Sequence, residues 1–421
     1  MANKKIYNIE DKVPASMLLP LSIQHTFAMF GASVLVPILF GIDVGIVLLM
    51  NGIGTLLFIL ITKAKAPAYL GSSFAFLAPA TLIINQQGFN YAQGGFIFVG
   101  LLGCILAAVI YKFGTKWIDV VLPPAAMGPV VALIGFELAK ATVTGGRIGA
   151  NIMVDNRSTA DIVIFLVTLL VAIFGSVLFR KFFSTIPILI AIVAGYITAI
   201  AFKTVDFTPV KEAAFFTLPH FQLPKFSVAA CLTMLPVLLV IAAEHISHQA
   251  VTSNIVGKDL LKDPGLHRSI FADNFSTALS GLVGGVPTTT YGENIGVMAV
   301  TGVYNVKVIG GAAVISILMA FVGPLSALIS TIPGNVIGGV TFLLYGMIGA
   351  SGIRLLVDKK VDYSKSRNLI LTSVIFITGL SGLSIKIGAI NLSGMVLSAV
   401  VAVILSLIFF IFQKLHLMNE D

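Results

Sequence analysis

The chain has 421 residues, of which 57% are hydrophobic and only 10% charged, and its mean hydropathy is +1.02. Soluble domains carry about 25% charged residues, so the 18 acids and 26 basic residues are too few to coat a soluble surface of this size, and the chain reads as a protein embedded in lipid. The composition also excludes disorder and a disulfide scaffold, since Cys104 and Cys231 both lie in apolar runs, and the net charge of +8 lacks the basic stripe and aromatic platform of a nucleic-acid binder.

The first 14 residues are polar. The apolar run from Ala15 to Phe40 is too long for a signal-peptide core and reads as a retained spanning helix. A span needs about 20 apolar residues. Further runs centre near Leu49, Leu77, Leu102, Val131, Leu169, Ile190, Val240, Leu279, Val297, Ile317, Leu343, Ile375 and Val401, making fourteen segments of an all-α polytopic membrane protein. The longest connections fall near 141–159 and 203–226. With the N-terminus inside, 19 Lys and Arg fall on the inner side, Lys4 and Lys5 among them, and 7 on the outer: Lys140, Arg147, Arg157, Lys203, Lys211, Lys225 and Lys386. This bias predicts both termini in the cytoplasm.

Two segments make poor spanning helices. The third begins Ala66-Pro67-Ala68-Tyr69-Leu70-Gly71-Ser72-Ser73-Phe74, and the tenth begins Gly284-Gly285-Val286-Pro287-Thr288-Thr289-Thr290-Tyr291-Gly292. Non-helical backbone at membrane depth survives only buried in protein or lining a cavity. A pair of such breaks in matching positions points to a transporter's binding site. The positions do match. His25 and His245 are 220 apart, Phe74 and Gly292 are 218 apart, and Gly94-Gly95 and Gly310-Gly311 are 216 apart. Pro123…Gly128 and Pro333…Gly338 are 210 apart. This order predicts two sevenfold repeats, the second inverted because seven is odd.

Four acids fall within the spans: Glu137, Glu244, Asp273 and Glu293. A charged, unpartnered acid at bilayer centre costs about 2.5–3.5 kcal/mol on insertion scales. Glu244 and His248, four apart, share a helical face and read as a proton relay or substrate contact, whereas His245 points elsewhere and reads as packing. Glu293 opens the half-helix after the second break, at the positive end of its dipole. Tyr291-Gly292 and Ser73-Phe74 offer backbone N–H groups to an uncharged carbonyl, and the Phe74 and Tyr291 rings offer flat faces. Asp273 reads as a functional acid or a local cap, and Glu137 as an acid snorkelling from a helix end. Gln24 and His25 are site wall or interhelical glue. Tyr345 is a candidate gate residue. The chain lacks a Walker loop, a cysteine cluster, a G-x-S-x-G motif and a nucleophile–base pair, so no enzyme is indicated and no cofactor beyond a coupling ion.

The stretches Gln24-His25-Thr26-Phe27-Ala28-Met29-Phe30-Gly31-Ala32, Gly71-Ser72-Ser73-Phe74-Ala75-Phe76, Ala243-Glu244-His245-Ile246-Ser247-His248 and Gly292-Glu293-Asn294-Ile295-Gly296 with Thr301 carry a resemblance. The sequence resembles the nucleobase/ascorbate transporter family, and within it the branch of bacterial uracil permeases. The resemblance implies fourteen helices in two inverted repeats, with segments 3 and 10 broken by two short antiparallel strands. It implies a core domain (15–115 and 227–331) and a gate domain (116–226 and 332–414) between cytoplasmic termini (1–14 and 415–421). It further implies proton-coupled uracil uptake by alternating access across a bacterial inner membrane, by a homodimer. By motif position, Glu244 and Glu293 would hold the base. Phe74 and Gly292 would donate to its carbonyl, Tyr291 and Ser73 would line the pocket, and His248 and Asp273 would serve proton coupling. Gln24, His25 and Asn294 would support the site. Asn305 departs from the basic or small residue usual four after the motif Thr. A purine permease on the same fold, an anion exchanger or channel, and a membrane-embedded enzyme are the rival readings.

Overall fold

The computed structural model describes residues 7–139, 158–387 and 390–419. Lys4, Lys5, Lys140, Arg147, Arg157 and nearly all of the 141–159 connection lie outside them. Among the described residues, fourteen helices have ten residues or more. They are α1 Ala15–Phe40, α2 Val44–Ile61, α3 Leu77–Gln87, α4 Phe89–Phe113, α5 Pro124–Ala139, α6 Thr159–Leu178 and α7 Pro187–Ala201, then α8 Val237–Val256, α9 Leu266–Val283, α10 Gly292–Thr301, α11 Val306–Met319, α12 Gly334–Asp358, α13 Ser366–Leu380 and α14 Gly394–Lys414. The first run coincides with α1, and each of the thirteen further centres falls inside one of the other helices.

Length and composition divide them. Seven helical stretches are long and apolar enough to cross a membrane: α1, α2, α4, α6, Val228–Val256, α12 and α14. α5, α7, α11 and α13 are apolar but shorter. α3 and α10 have only 11 and 10 residues. α9 is long but polar, burying Ser269, Asp273, Asn274, Ser276, Thr277 and Ser280. Many lipid-facing positions are large and apolar, such as Leu60, Ile105 and Val177, as expected where lipid replaces water.

The helices pack in two groups. α4 lies along α9, α2 along α9 and α11, and α1 along α11. Separately, α5 lies along α12, α13 and α14, and α6 along α7 and α12. Hydrophobicity gives helices no reason to associate inside lipid, so close backbone approach has to supply the attraction. Small residues permit it. A Cβ at Gly103 would overlap the Asn274 side chain, and one at Gly135 would overlap the Tyr345 carbonyl oxygen across the α5–α12 contact. Buried hydroxyls add bonds between helices. Ser22 Oγ donates to Val308 O at 2.9 Å and Ser316 Oγ to Leu48 O at 2.8 Å.

The connection before α14 is a hairpin, β3 Ser384–Ile387 against β4 Ile390–Ser393. Its Ser-Ile-Lys-Ile stretch has the period of a strand. The departure at Asn305 also has a structural account. Its Nδ2 donates to Asp11 O (2.7 Å) and Ile9 O (3.1 Å), and its Oδ1 caps α11 by accepting from Lys307 N (3.0 Å). The N-terminal segment is thereby laid against residues 302–306, with Tyr7 N donating to Gly302 O and Tyr304 N to Tyr7 O. Asn305→Ala should cost about 1–2 kcal/mol through the lost cap and buried bonds. Limited proteolysis should then cleave residues 7–12 before any helix; a digestion pattern unchanged from the parent would refute this anchoring role.

Candidate functional site

Two short, fully buried strands pair with each other. β1 (Leu70–Ser72) and β2 (Thr288–Thr290) pair antiparallel, Leu70 with Thr290, Gly71 with Thr289 and Ser72 with Thr288. The ladder continues one bond further at each end. Tyr291 N–H donates to Tyr69 O at 2.9 Å, and Ser73 N–H to Pro287 O at 2.8 Å. The pairing is symmetric about Gly71 and Thr289, so residue i of the first break corresponds to residue i+218 of the second, the spacing that relates Phe74 to Gly292. Gly71 must be glycine, because a Cβ there would overlap the Tyr291 ring.

A two-stranded ribbon leaves its outer edges without partners, at a cost of several kcal/mol per group in a bilayer. Here hydroxyls from neighbouring helices bond one residue on each edge. Leu70 N donates to Thr55 Oγ1 of α2 (2.9 Å), and Thr288 N to Thr277 Oγ1 of α9 (3.0 Å). Thr277 Oγ1 also donates to Thr288 O (2.9 Å).

Beyond each strand the chain turns straight into helix. A 3₁₀ turn, Phe74–Phe76, leads into α3, and Gly292 opens α10. Neither start has a side-chain cap. The first N–H groups of a helix lack internal partners and carry the positive end of its dipole. Those of Phe74 and Gly292 take no backbone carbonyl among the described residues. Two donor ends therefore flank the ribbon, with Phe74 half-buried and Gly292 exposed.

Acids and an imidazole surround these ends. Glu244 on α8 is half-buried, and its Oε2 is fully buried without a hydrogen-bond partner. It lies within Coulombic reach of Asp273 and Glu293. His248, one turn further along α8, holds Thr290 Oγ1 on β2 with Nδ1 at 3.0 Å. Its Nε2 lies 3.7 Å from where a Cβ on Gly292 would stand. Glu293 lines a cavity of about 190 Å³ together with Gly296, Ala28, Ile186, Leu189 and Met347. This cavity lies between α10 and α1 on one side and α7 and α12 on the other, at the boundary of the two helix groups.

The structure thus gathers Glu244, His248, Glu293, Phe74, Gly292 and Ser73 around one ribbon, and corrects the roles of others. Glu244 and His248 share a face but are not bonded to each other; His248 is engaged by Thr290 instead. Asp273 is no cap, since it sits within α9. Its Oδ2 lies 3.4 Å from His245 Nδ1, without hydrogen-bond geometry, and both side chains are 1–2% exposed. His245 therefore packs, as expected, but against an acid and against the edge of Phe58. Tyr291 does not offer its face to the cavity: it is 3% exposed, lies over Gly71, and donates through its hydroxyl to Ser72 O at 3.2 Å. Tyr345 is buried in the α5–α12 contact and does not line the cavity. Gln24 is buried on α1. His25 and Asn294 form glue between α1 and α10, Asn294 Nδ2 lying 3.0 Å from His25 Nδ1 and donating to His25 O at 3.1 Å. Glu137 does not snorkel; Met395 N donates to its Oε2 at 2.8 Å. Thr55 and Thr277 carry no signal in the sequence, since single threonines within helices have no periodicity of their own, and Thr290 stands out there only as part of the second break.

Residues 16–388 match the model of the permease family Xan_ur_permease. The uracil permease of Escherichia coli (strain K12) is 53% identical over 409 residues, covering 96% of this chain and 94% of its own length. The uracil permease of Paenibacillus larvae subsp. larvae is 49% identical over 418 residues, covering 99% of each chain. The fold is similar to that of the transmembrane domain of a cyanobacterial bicarbonate transporter, BicA, with a TM-score of 0.65 at 16% identity, covering 96% of this chain and 100% of that one. The chain belongs to the nucleobase/ascorbate permease family and is a multi-pass membrane transporter. Gly71→Ala should displace Tyr291 and loosen the ribbon, at about 1–3 kcal/mol of overpacking cost. A thermal midpoint equal to that of the parent in detergent would show that the ring does not depend on this glycine.

Proposed function

We propose that this permease takes up uracil with a proton, by alternating access. One observation carries the reading. An uncapped helix end at Gly292 adjoins Glu293, which lies within Coulombic reach of Glu244, and a second uncapped end stands at Phe74 on the other side of the ribbon. Uracil presents the complement, carbonyl oxygens and N–H groups. Discrimination follows, since an analogue that leaves a buried group unpaired is rejected by about 10⁴-fold in favourable cases. Relatives at 49–53% identity named uracil permeases support the substrate.

In this reading the fourteen helices form two inverted sevenfold repeats. The group α1–α4 with α8–α11 is the core domain (15–115 and 227–331), and α5–α7 with α12–α14 is the gate domain (116–226 and 332–414). The tighter packing within each group than between them supports relative motion. The 19-to-7 charge bias supports cytoplasmic termini in a bacterial inner membrane, and the homodimer is carried over from the family resemblance. Glu244 carries the coupled proton, His248 shares its surroundings, and Asp273 with His245 completes the buried set behind them. One proton moving down about 100 mV releases about 2.3 kcal/mol, enough for roughly 50-fold accumulation.

The test is uptake of labelled uracil into cells with and without a protonophore. Accumulation should collapse to equilibration with the protonophore. Full accumulation in its presence would reject proton coupling, and saturation by xanthine but not uracil would reject the substrate. Glu244→Gln should retain the fold, judged by its elution and thermal midpoint, and lose accumulation. Normal accumulation would remove Glu244 as the proton carrier.

A further inference from the structure

A second cavity, of about 260 Å³, lies between α3 of one helix group and α5 and α14 of the other and is not used by the site above. It is lined by α3 residues, among them Ala78, Leu82 and Asn85, by Glu137 at the end of α5, and by Ser393 and Val396 at the start of α14. The repeat spacings relate it to the first cavity. At 218, the spacing set by the strand register, Ala78 and Leu82 correspond to Gly296 and Val300. At 210, the spacing of the Pro123 and Pro333 motifs, Glu137 corresponds to Met347. At 207, which superposes the start of α14 on the start of α7, Ser393 and Val396 correspond to Ile186 and Leu189. All five counterparts line the first cavity, so five of the eight residues lining the second have a repeat-related partner there. The two cavities differ in chemistry: where the first has Met347 the second has an acid.

Glu137 is already half-engaged. Its Oε2 accepts from Met395 N at 2.8 Å, while Oε1 takes no hydrogen bond among the described residues. We propose that this cavity is the outward half of the transport path, and that Glu137 receives the arriving base there through Oε1, accepting a ring N–H before the base reaches the ribbon. The proposal rests on the uracil reading and on the repeat relation above. A glutamine in its place keeps the helix cap, because the amide oxygen still accepts from Met395 N–H, but it turns an NH₂ donor toward the base's own donor.

The expected result for Glu137→Gln is a KM for uracil uptake raised about tenfold or more, the effect of losing one charge-assisted hydrogen bond. Vmax, and the Kd for uracil of the purified protein, should be unchanged. An unchanged KM, or a Kd rising in step with KM, would overturn the role of Glu137. Uracil failing to bind the purified parent protein would overturn both this proposal and the substrate reading. A second measurement does not depend on the Glu137 variant folding. Asn85→Cys, in a chain whose Cys104 and Cys231 are replaced by serine, should react with a membrane-impermeant maleimide added to whole cells, and uracil should slow that reaction. No reaction, or no protection by uracil, would overturn the outward path.

Discussion

The structure depends on the pairing of β1 with β2. Within a bilayer each backbone N–H and C=O must find a protein partner, and an isolated two-stranded ribbon satisfies only its inner edges. The ribbon is sustained because Thr55 and Thr277 bond Leu70 and Thr288 on its outer edges and because Gly71 admits the Tyr291 ring. Once it exists, the chain must resume helix on both sides. The two resumptions create the uncapped ends at Phe74 and Gly292. The donors of the site are thus a by-product of how the break is stabilised.

The acids follow a related logic. Glu244 leaves one oxygen buried and unpartnered, and Asp273 faces His245 without a proper hydrogen bond. Unsatisfied groups of this kind are costly, and in native structures they mark stored strain or a place for something that comes and goes. In the proposed cycle that something is a proton and a base. His248 is positioned from the ribbon itself, through Thr290. Any change in strand pairing would therefore move the imidazole and the donor ends together.

Much of this was legible in the sequence. The fourteen apolar runs each became a helix because their periodicity and length are set locally. Composition placed both breaks, since glycine and proline clustered with threonine make a continuous helix unfavourable. Charge scarcity isolated Glu244, Asp273 and Glu293. The errors cluster where a partner is distant in the chain. Tyr291 was read as a pocket face because aromatic rings suit planar ligands, but Gly71, 220 residues away, takes the ring. The Glu244–His248 relay was inferred from a four-residue spacing that holds, yet Thr290 takes the imidazole. Tyr345 reads in the sequence as a gate residue, but Gly135 lets α5 and α12 close over it.

The sequence by itself determined that the chain lives in lipid, where its helices lie, where two of them break and which acids are too few to be incidental. Each of these is a local property, written in the free energy of a residue in water, in lipid or in a helix. Only the tertiary structure decided which hydroxyl bonds which strand edge, which ring covers which glycine, and which residues line the cavities beside α3 and α10. Those outcomes depend on contacts between different elements, 11 residues apart for Thr277 and Thr288 and 220 apart for Gly71 and Tyr291, and short-range periodicity carries no information about them.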